Sequence, residues 1–155
     1  MSDIDHKEGF TFTSRPVPVP GDLRITWRIS VLLMMLSASR ADQASLAKLN
    51  IISAAVNSTA ALNLLEKIIA GGAPTVAWKM GVEPALGRAV DLLVGDGLAK
   101  WKPVSGRAGV VLTVTGKAAC SAIIADGDVL SEEKSIIKQL AKITTETLVS
   151  SIISL

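Results

Sequence analysis

The 155-residue chain has no tyrosine, a single histidine (His6) and a single cysteine (Cys120). One cysteine excludes an intramolecular disulfide framework, and no Cys/His spacing of a metal site is present. His6 and Cys120 lie far apart in sequence, so they form no evident nucleophile–base pair. Neither a G-x-x-x-x-G-K-[ST] loop nor a G-x-G-x-x-G after a strand occurs, which excludes nucleotide sites of those types. Glu132 and Glu133 are adjacent and diverge on a helix, unlike a cooperating carboxylate pair. The chain is therefore expected to be no enzyme and to carry no cofactor or metal.

Charge is also scarce. Charged residues make up 19% of the chain, against roughly 25% in ordinary soluble domains. The net charge is only +2, a weak lure for nucleic acid. The longest apolar run is Val31–Leu36. Extended back to Trp27, it remains far short of the roughly 20 residues of a membrane-spanning helix. The polar, acidic start MSDIDHKEG is not a secretory signal. These features point to a cytoplasmic, bacterial-type protein with no membrane role. Apolar residues reach 49%, which suggests surface buried against a partner.

The chain divides into an arm (1–21), a core domain (22–126) and a C-terminal helix (127–155). In the arm, Pro16, Pro18 and Pro20 alternate with valines and impose extended geometry. The arm is either a loose tail or a strap laid along a partner, with Phe10, Phe12, Val17 and Val19 as docking residues.

Asp22 can cap a first helix over Leu23–Leu36, whose apolar second half reads as buried, with Trp27, Met34 and Met35 in the core. Arg24 and Arg28 share one face, either solvated or offered to phosphate or an acidic partner. Ser37–Gln43 reads as a polar loop. Helices follow over Ser45–Val56 and Thr59–Ala70, the second capped by Ser58 or Thr59 and ended by Gly71-Gly72. Thr75–Met80 alternates apolar and polar residues as a half-buried strand would.

Pro84–Val94 reads as a helix with Leu86, Ala89, Val90 and Leu93 on its core side. Gly95-Asp96-Gly97 stops it, and Leu98–Val104 and Val110–Thr115 form a hairpin around a glycine-flanked turn. Thr113 or Thr115 can cap a helix over Gly116–Ala125, where Cys120 sits among alanines as a small buried hydrophobe. A long last helix is expected over Leu130–Ile152. Its apolar side, including Ile136, Leu140 and Leu148, serves self-association, a partner, or a lid over the chain's own domain. Its other side mixes acidic and basic residues, unlike a membrane-surface helix. The expected class is mostly α (α+β), with a short three-stranded sheet formed by Thr75–Met80 and the hairpin.

Within Ala89–Ala122, the residues Asp91-Leu92-Leu93, Gly97-Leu98, a basic hairpin with Lys100, Lys102 and Arg107, and Leu112-Thr113 with Gly116 are in place. This segment resembles the winged-helix end of MarR-type regulators, about a fifth of the chain. The resemblance implies a winged-helix-like domain in which Arg88, Lys100, Lys102 and Arg107 are the candidates for DNA-phosphate contact. Two departures count against base reading. Residues 71–83 break the helix-turn-helix spacing. In the Pro84–Val94 helix and its flanks, Glu83, Arg88, Asp91 and Asp96 are mostly acidic, and no Asn, Gln, Ser or Thr is available for base edges.

A looser similarity covers more of the chain. The proline-bearing arm, the arginine-flanked first helix, the LAKLN helix and EPALGRAVDLLVGDGL resemble small middle subunits that accompany ABC- or SMC-like ATPases in bacterial three-component, Lamassu-type defence systems. It implies a non-enzymatic winged-helix interaction subunit of an ATPase-containing complex. The alternative is a homodimeric winged-helix transcriptional regulator that binds DNA.

Overall fold

The computed structural model describes residues 21–81, 83–127 and 130–154, with the side chains of residues 21–23 left out. The arm with Phe10, Phe12, Val17 and Val19, and the side chain of Asp22, lie outside the described residues. The fold is mostly helical with a small three-stranded antiparallel sheet.

Helix α1 (Gly21–Ala38) carries its apolar run into the centre, where Val31 to Leu36 are all buried. A helix buried on every side needs neighbours all around it. Here α4 (Pro84–Gly95), α5 (Val114–Ala125) and α6 (Ser131–Ile143) pack against it, with the sheet beneath.

The sheet differs from the expected one in its third strand. Thr75–Met80 forms a single 3-10 turn, Thr75–Ala77, and then extended chain. Trp78 tucks into a hydrophobic cluster while Val76 and Met80 stay exposed, so the alternation reflects one anchoring side chain and no ladder. The third strand is β1 (Gln43–Ser45), which spans the end of the expected polar loop and Ser45, the expected first residue of the next helix. It pairs with β3 (Gly109–Leu112), and β3 pairs with β2 (Ala99–Trp101), giving the order β1-β3-β2. The register sets Ala44 against Val110 and Trp101 against Val110. Gly109 admits this pairing because a Cβ there would lie 2.7 Å from the Ala44 carbonyl oxygen.

Helices α2 (Leu46–Asn57) and α3 (Thr59–Ile69) follow β1 directly. Ser45 caps α2, Ser58 caps α3 and Thr113 caps α5, each accepting a backbone N–H of the first turn. Two hydrophobic clusters result. One holds α1, α4, α5 and the sheet; the other holds α3, Trp78 and α7 (Glu146–Ile153). Helix α2 serves both, with Leu49 and Ile52 in the first and Ile51 and Ala55 in the second. Helix α6 does likewise through Ile137 and Ala141 on one side and Leu140 on the other.

The expected single helix over Leu130–Ile152 is two. It breaks at Thr144-Thr145, where Thr144 is fully buried and the Thr145 hydroxyl caps α7 by accepting from Leu148 N at 3.2 Å. The break rotates the apolar stripe: Ile143 is exposed, and Val149 and Ile152 turn into the second cluster. Cys120 is buried, its thiol 3.5 Å from the Leu33 carbonyl oxygen. Burial pushes the thiol pKa up, with a Ser37 hydroxyl opposing and Asp42 adding to the shift.

Two glycines in helices give opposite expectations. At Gly116, a Cβ would stand 1.9 Å from the Leu98 carbonyl oxygen, so Gly116→Ala must push α5 off the hairpin base. At Gly87, nothing lies within 4 Å of a Cβ. Chemical denaturation should show Gly116→Ala destabilised by about 1–3 kcal/mol or more. Gly87→Ala should be stabilised by roughly 0.5–1 kcal/mol. Equal effects of the two changes would contradict the packing of α5 against Leu98.

Candidate functional site: the hairpin unit and its seam with the C-terminal helices

The hairpin grows out of the end of α4. Leu98 N donates to the Leu93 carbonyl at 3.0 Å, and Gly97 takes the left-handed conformation (φ 74°) that closes the helix. Thr113 binds the base of the unit from the other side, its hydroxyl donating to the Gly97 carbonyl at 2.6 Å and accepting from Gly116 N at 3.1 Å. At the tip, Ser105 and Gly106 both adopt positive φ, and Val104 and Arg107 exchange backbone hydrogen bonds.

The four cations read as phosphate contacts do not act together. Lys100 and Arg88 are exposed, on β2 and α4 respectively. Lys102 is exposed and donates to Gln43 Oε1 at 2.8 Å. Arg107 turns inward: it pairs with Glu146 at 2.8 Å and donates to the Ser150 hydroxyl at 2.7 Å and to the Glu146 carbonyl at 3.2 Å. The arginine that a DNA-probing hairpin would extend outward instead fastens the tip to α7.

Glu146 is the hub of this seam. Its Oε1 accepts from Ser45 N at 2.9 Å, and its Oε2 accepts from the Ser45 hydroxyl at 2.8 Å and from Arg107. One carboxylate thus joins β1, the hairpin and α7. Burial alone would raise its pKa, but the two Ser45 hydrogen bonds and Arg107 outweigh burial and leave the group below the ordinary glutamate value. Beside it, Lys48 is buried and donates through Nζ to the Ala141 carbonyl at 2.9 Å. That carbonyl belongs to the last turn of α6 and has no partner within the helix, so the lysine acts as a cationic C-terminal cap. Burial lowers the Lys48 pKa, and Glu146 acts in the opposite sense.

Other candidates are likewise committed inside the chain. Arg28 pairs with Glu83, which also accepts from the Ser53 hydroxyl at 3.1 Å. Glu83 is thereby neutralised, and the charges α4 and its C-cap leave exposed are Arg88, Asp91 and Asp96. Leu140 is fully buried in the second cluster, with Ile136 and Leu148 half-buried against it, so this stripe covers the chain's own domain. Beside these exposed charges, the outside of the hairpin unit carries apolar residues: Leu92 on α4, Trp101 on β2 and Val114 at the start of α5, the last two 51% and 83% exposed. The sequence reading passed over these three, although a tryptophan on a strand beside two lysines was visible in it.

Among the described residues, no group of three His, Cys, Asp or Glu side chains gathers to hold a metal, and no helix is long and apolar enough to cross a membrane. Comparison of the chain with known protein families, curated proteins and solved structures finds no match.

The seam makes a quantitative prediction. Arg107 and Glu146 retain 25% and 20% side-chain exposure, so their coupling should fall below that of a fully buried pair. A double-mutant cycle with Arg107→Ala and Glu146→Gln should give about 1–2 kcal/mol. Because the folded-state pKa of Glu146 is depressed, its contribution is complete at neutral pH. It is lost as pH falls from about 4.3, the ordinary glutamate value, through the lower folded value. Acid titration of stability should therefore be shallower in Glu146→Gln than in the wild type. A cycle coupling of zero with an unchanged acid slope would remove Glu146 from its place as hub.

Proposed function

We propose that the chain is a non-enzymatic winged-helix subunit of a larger cytoplasmic complex. Its hairpin unit docks on a protein partner, an ABC- or SMC-like ATPase of the kind used in bacterial anti-phage defence. Support for the winged-helix reading comes from element order. A helix, a short strand, a helix, a further helix and a hairpin follow one another, and the first strand pairs with the returning hairpin strand in the order β1-β3-β2. On this reading, α3 and the Thr75–Ala77 turn are an insertion before α4, the counterpart of a recognition helix.

The observation that carries the interaction role is the inversion of the hairpin surface. Arg107 is turned inward onto Glu146, while Trp101, Leu92 and Val114 face outward. Exposed tryptophan is a typical energetic centre of a protein–protein interface. A DNA-reading helix, by contrast, would present amides and hydroxyls, whereas α4 and its C-cap present Arg88, Asp91, Asp96 and Leu92. The regulator alternative needs the C-terminal stripe free for a homodimer, and Leu140, Val149 and Ile152 are buried within the chain. Lys100, Lys102 and Arg88 leave room for a non-specific phosphate contact when DNA is held by the partner.

The test is coexpression with an ATPase encoded beside this chain, followed by size-exclusion chromatography with light scattering. A complex should form, and Trp101→Ala with Leu92→Ser should weaken it at least about tenfold. The converse pattern would overturn the proposal: no complex, together with salt-dependent duplex binding that Lys100→Ala and Lys102→Ala abolish.

A further inference from the structure

Between the hairpin tip and the corner where α6 meets α7 lies a cavity of about 740 Å³. Its walls come from four separated parts of the chain: Ser39 and Arg40 after α1, Lys48 on α2, Val104 and Ser105 at the hairpin tip, and Ala141, Lys142 and Thr145 to Thr147 around the α6–α7 break. The volume falls within the range of small-molecule sites, roughly 300–1,000 Å³.

The charge around this cavity is unbalanced. Arg40, Lys48 and Lys142 line it, against the single carboxylate of Glu146. That carboxylate is already answered by Arg107 and the two Ser45 donors. Arg40 and Lys142 are exposed, and neither has an acidic partner at ion-pair distance among the described residues. Lys48 is the telling group. The residue is only 4% exposed, the Ala141 carbonyl takes one of its three ammonium N–H donors, and the other two are left to the cavity that it lines. Capping α6 needs one donor.

We propose that this cavity binds a small organic anion, with a carboxylate or phosphate group held by Lys48, Arg40 and Lys142. A bare ion would occupy only a fraction of the volume, and Ala38, Val104 and Ala141 offer apolar wall to the remainder of an organic ligand. The Thr145 hydroxyl, which accepts from Leu148 N, keeps its own proton to donate. A ligand seated here touches the hairpin tip and the α6–α7 corner at once, and so braces the seam that Glu146 closes. The inference stands apart from the docking reading above, since the cavity involves none of Leu92, Trp101 or Val114.

The test is a titration of the full chain followed by amide NMR, using succinate and glycerol 3-phosphate as probes at constant ionic strength, and glycerol as the neutral control. Saturable shifts are expected at Ser39, Ser105, Thr145 and Thr147 with one or both anions and none with glycerol. Which anion binds tells a carboxylate from a phosphate ligand. Arg40→Ala with Lys142→Ala changes only exposed side chains, preserves folding, and should raise Kd at least about tenfold. Lys48→Met, which keeps the aliphatic stem, should abolish saturation. No shift up to about 10 mM of either anion, an affinity below the millimolar class, would overturn the proposal. So would binding unchanged in the Arg40/Lys142 variant.

Discussion

Ile51 and Ile52 are neighbours in sequence, both are fully buried, and they belong to different hydrophobic clusters. The rest of the structure depends on that pair. Successive side chains on an α-helix point about 100° apart, so α2 can bury both isoleucines only if it is covered on two sides. Helices α1 and α4 with the sheet cover one side, and α3 and α7 the other. Helix α6 repeats the device with Leu140 and Ala141. Two helices with no exposed apolar stripe therefore stand as a shared wall, and each cluster holds in place the wall of the other. The C-terminal stripe is thereby given up as a free surface.

The wall also fixes where polar chemistry can sit. Lys48 and Glu146 are carried to its edge by α2 and α7, into the seam with β1 and the hairpin. There Glu146 collects Ser45 and Arg107 from positions 101 and 39 residues away along the chain. A low-dielectric surrounding strengthens such charge-assisted bonds and penalises any member left unpaired. The hairpin is thus tied down through its only arginine, and its free face is left to Trp101, Lys100 and Lys102. The exposed surface of the hairpin is therefore apolar with a basic margin.

Much of the fold was legible because local rules acted alone. The caps at Ser58 and Thr113, the proline at the start of α4, the glycine stop after it and the hairpin are read from spacing and backbone preference. Burial of Cys120 and of Val31 to Leu36 follows from apolar surroundings in sequence. Where local signals were misleading, a distant partner had decided the outcome. Gln43–Ser45 has no strand signature and is a strand because β3 supplies its hydrogen bonds. Thr75–Met80 alternates as a strand does, yet among the described residues no strand pairs with it, and Trp78 is its buried anchor.

The same distinction separates what each level determined. The sequence by itself determined most helix starts and stops up to α5, the hairpin, the mostly helical class and the scarcity of catalytic side chains, since all of these depend on neighbours a few residues away. Only the tertiary structure decided the break at Thr144-Thr145, the inward turn of Arg107, the pairing of Arg28 with Glu83 and the burial of Lys48. Each of those is a choice among conformations of similar local energy. It is settled by charge and apolar surface that arrive from tens of residues away, once the chain has closed around α2.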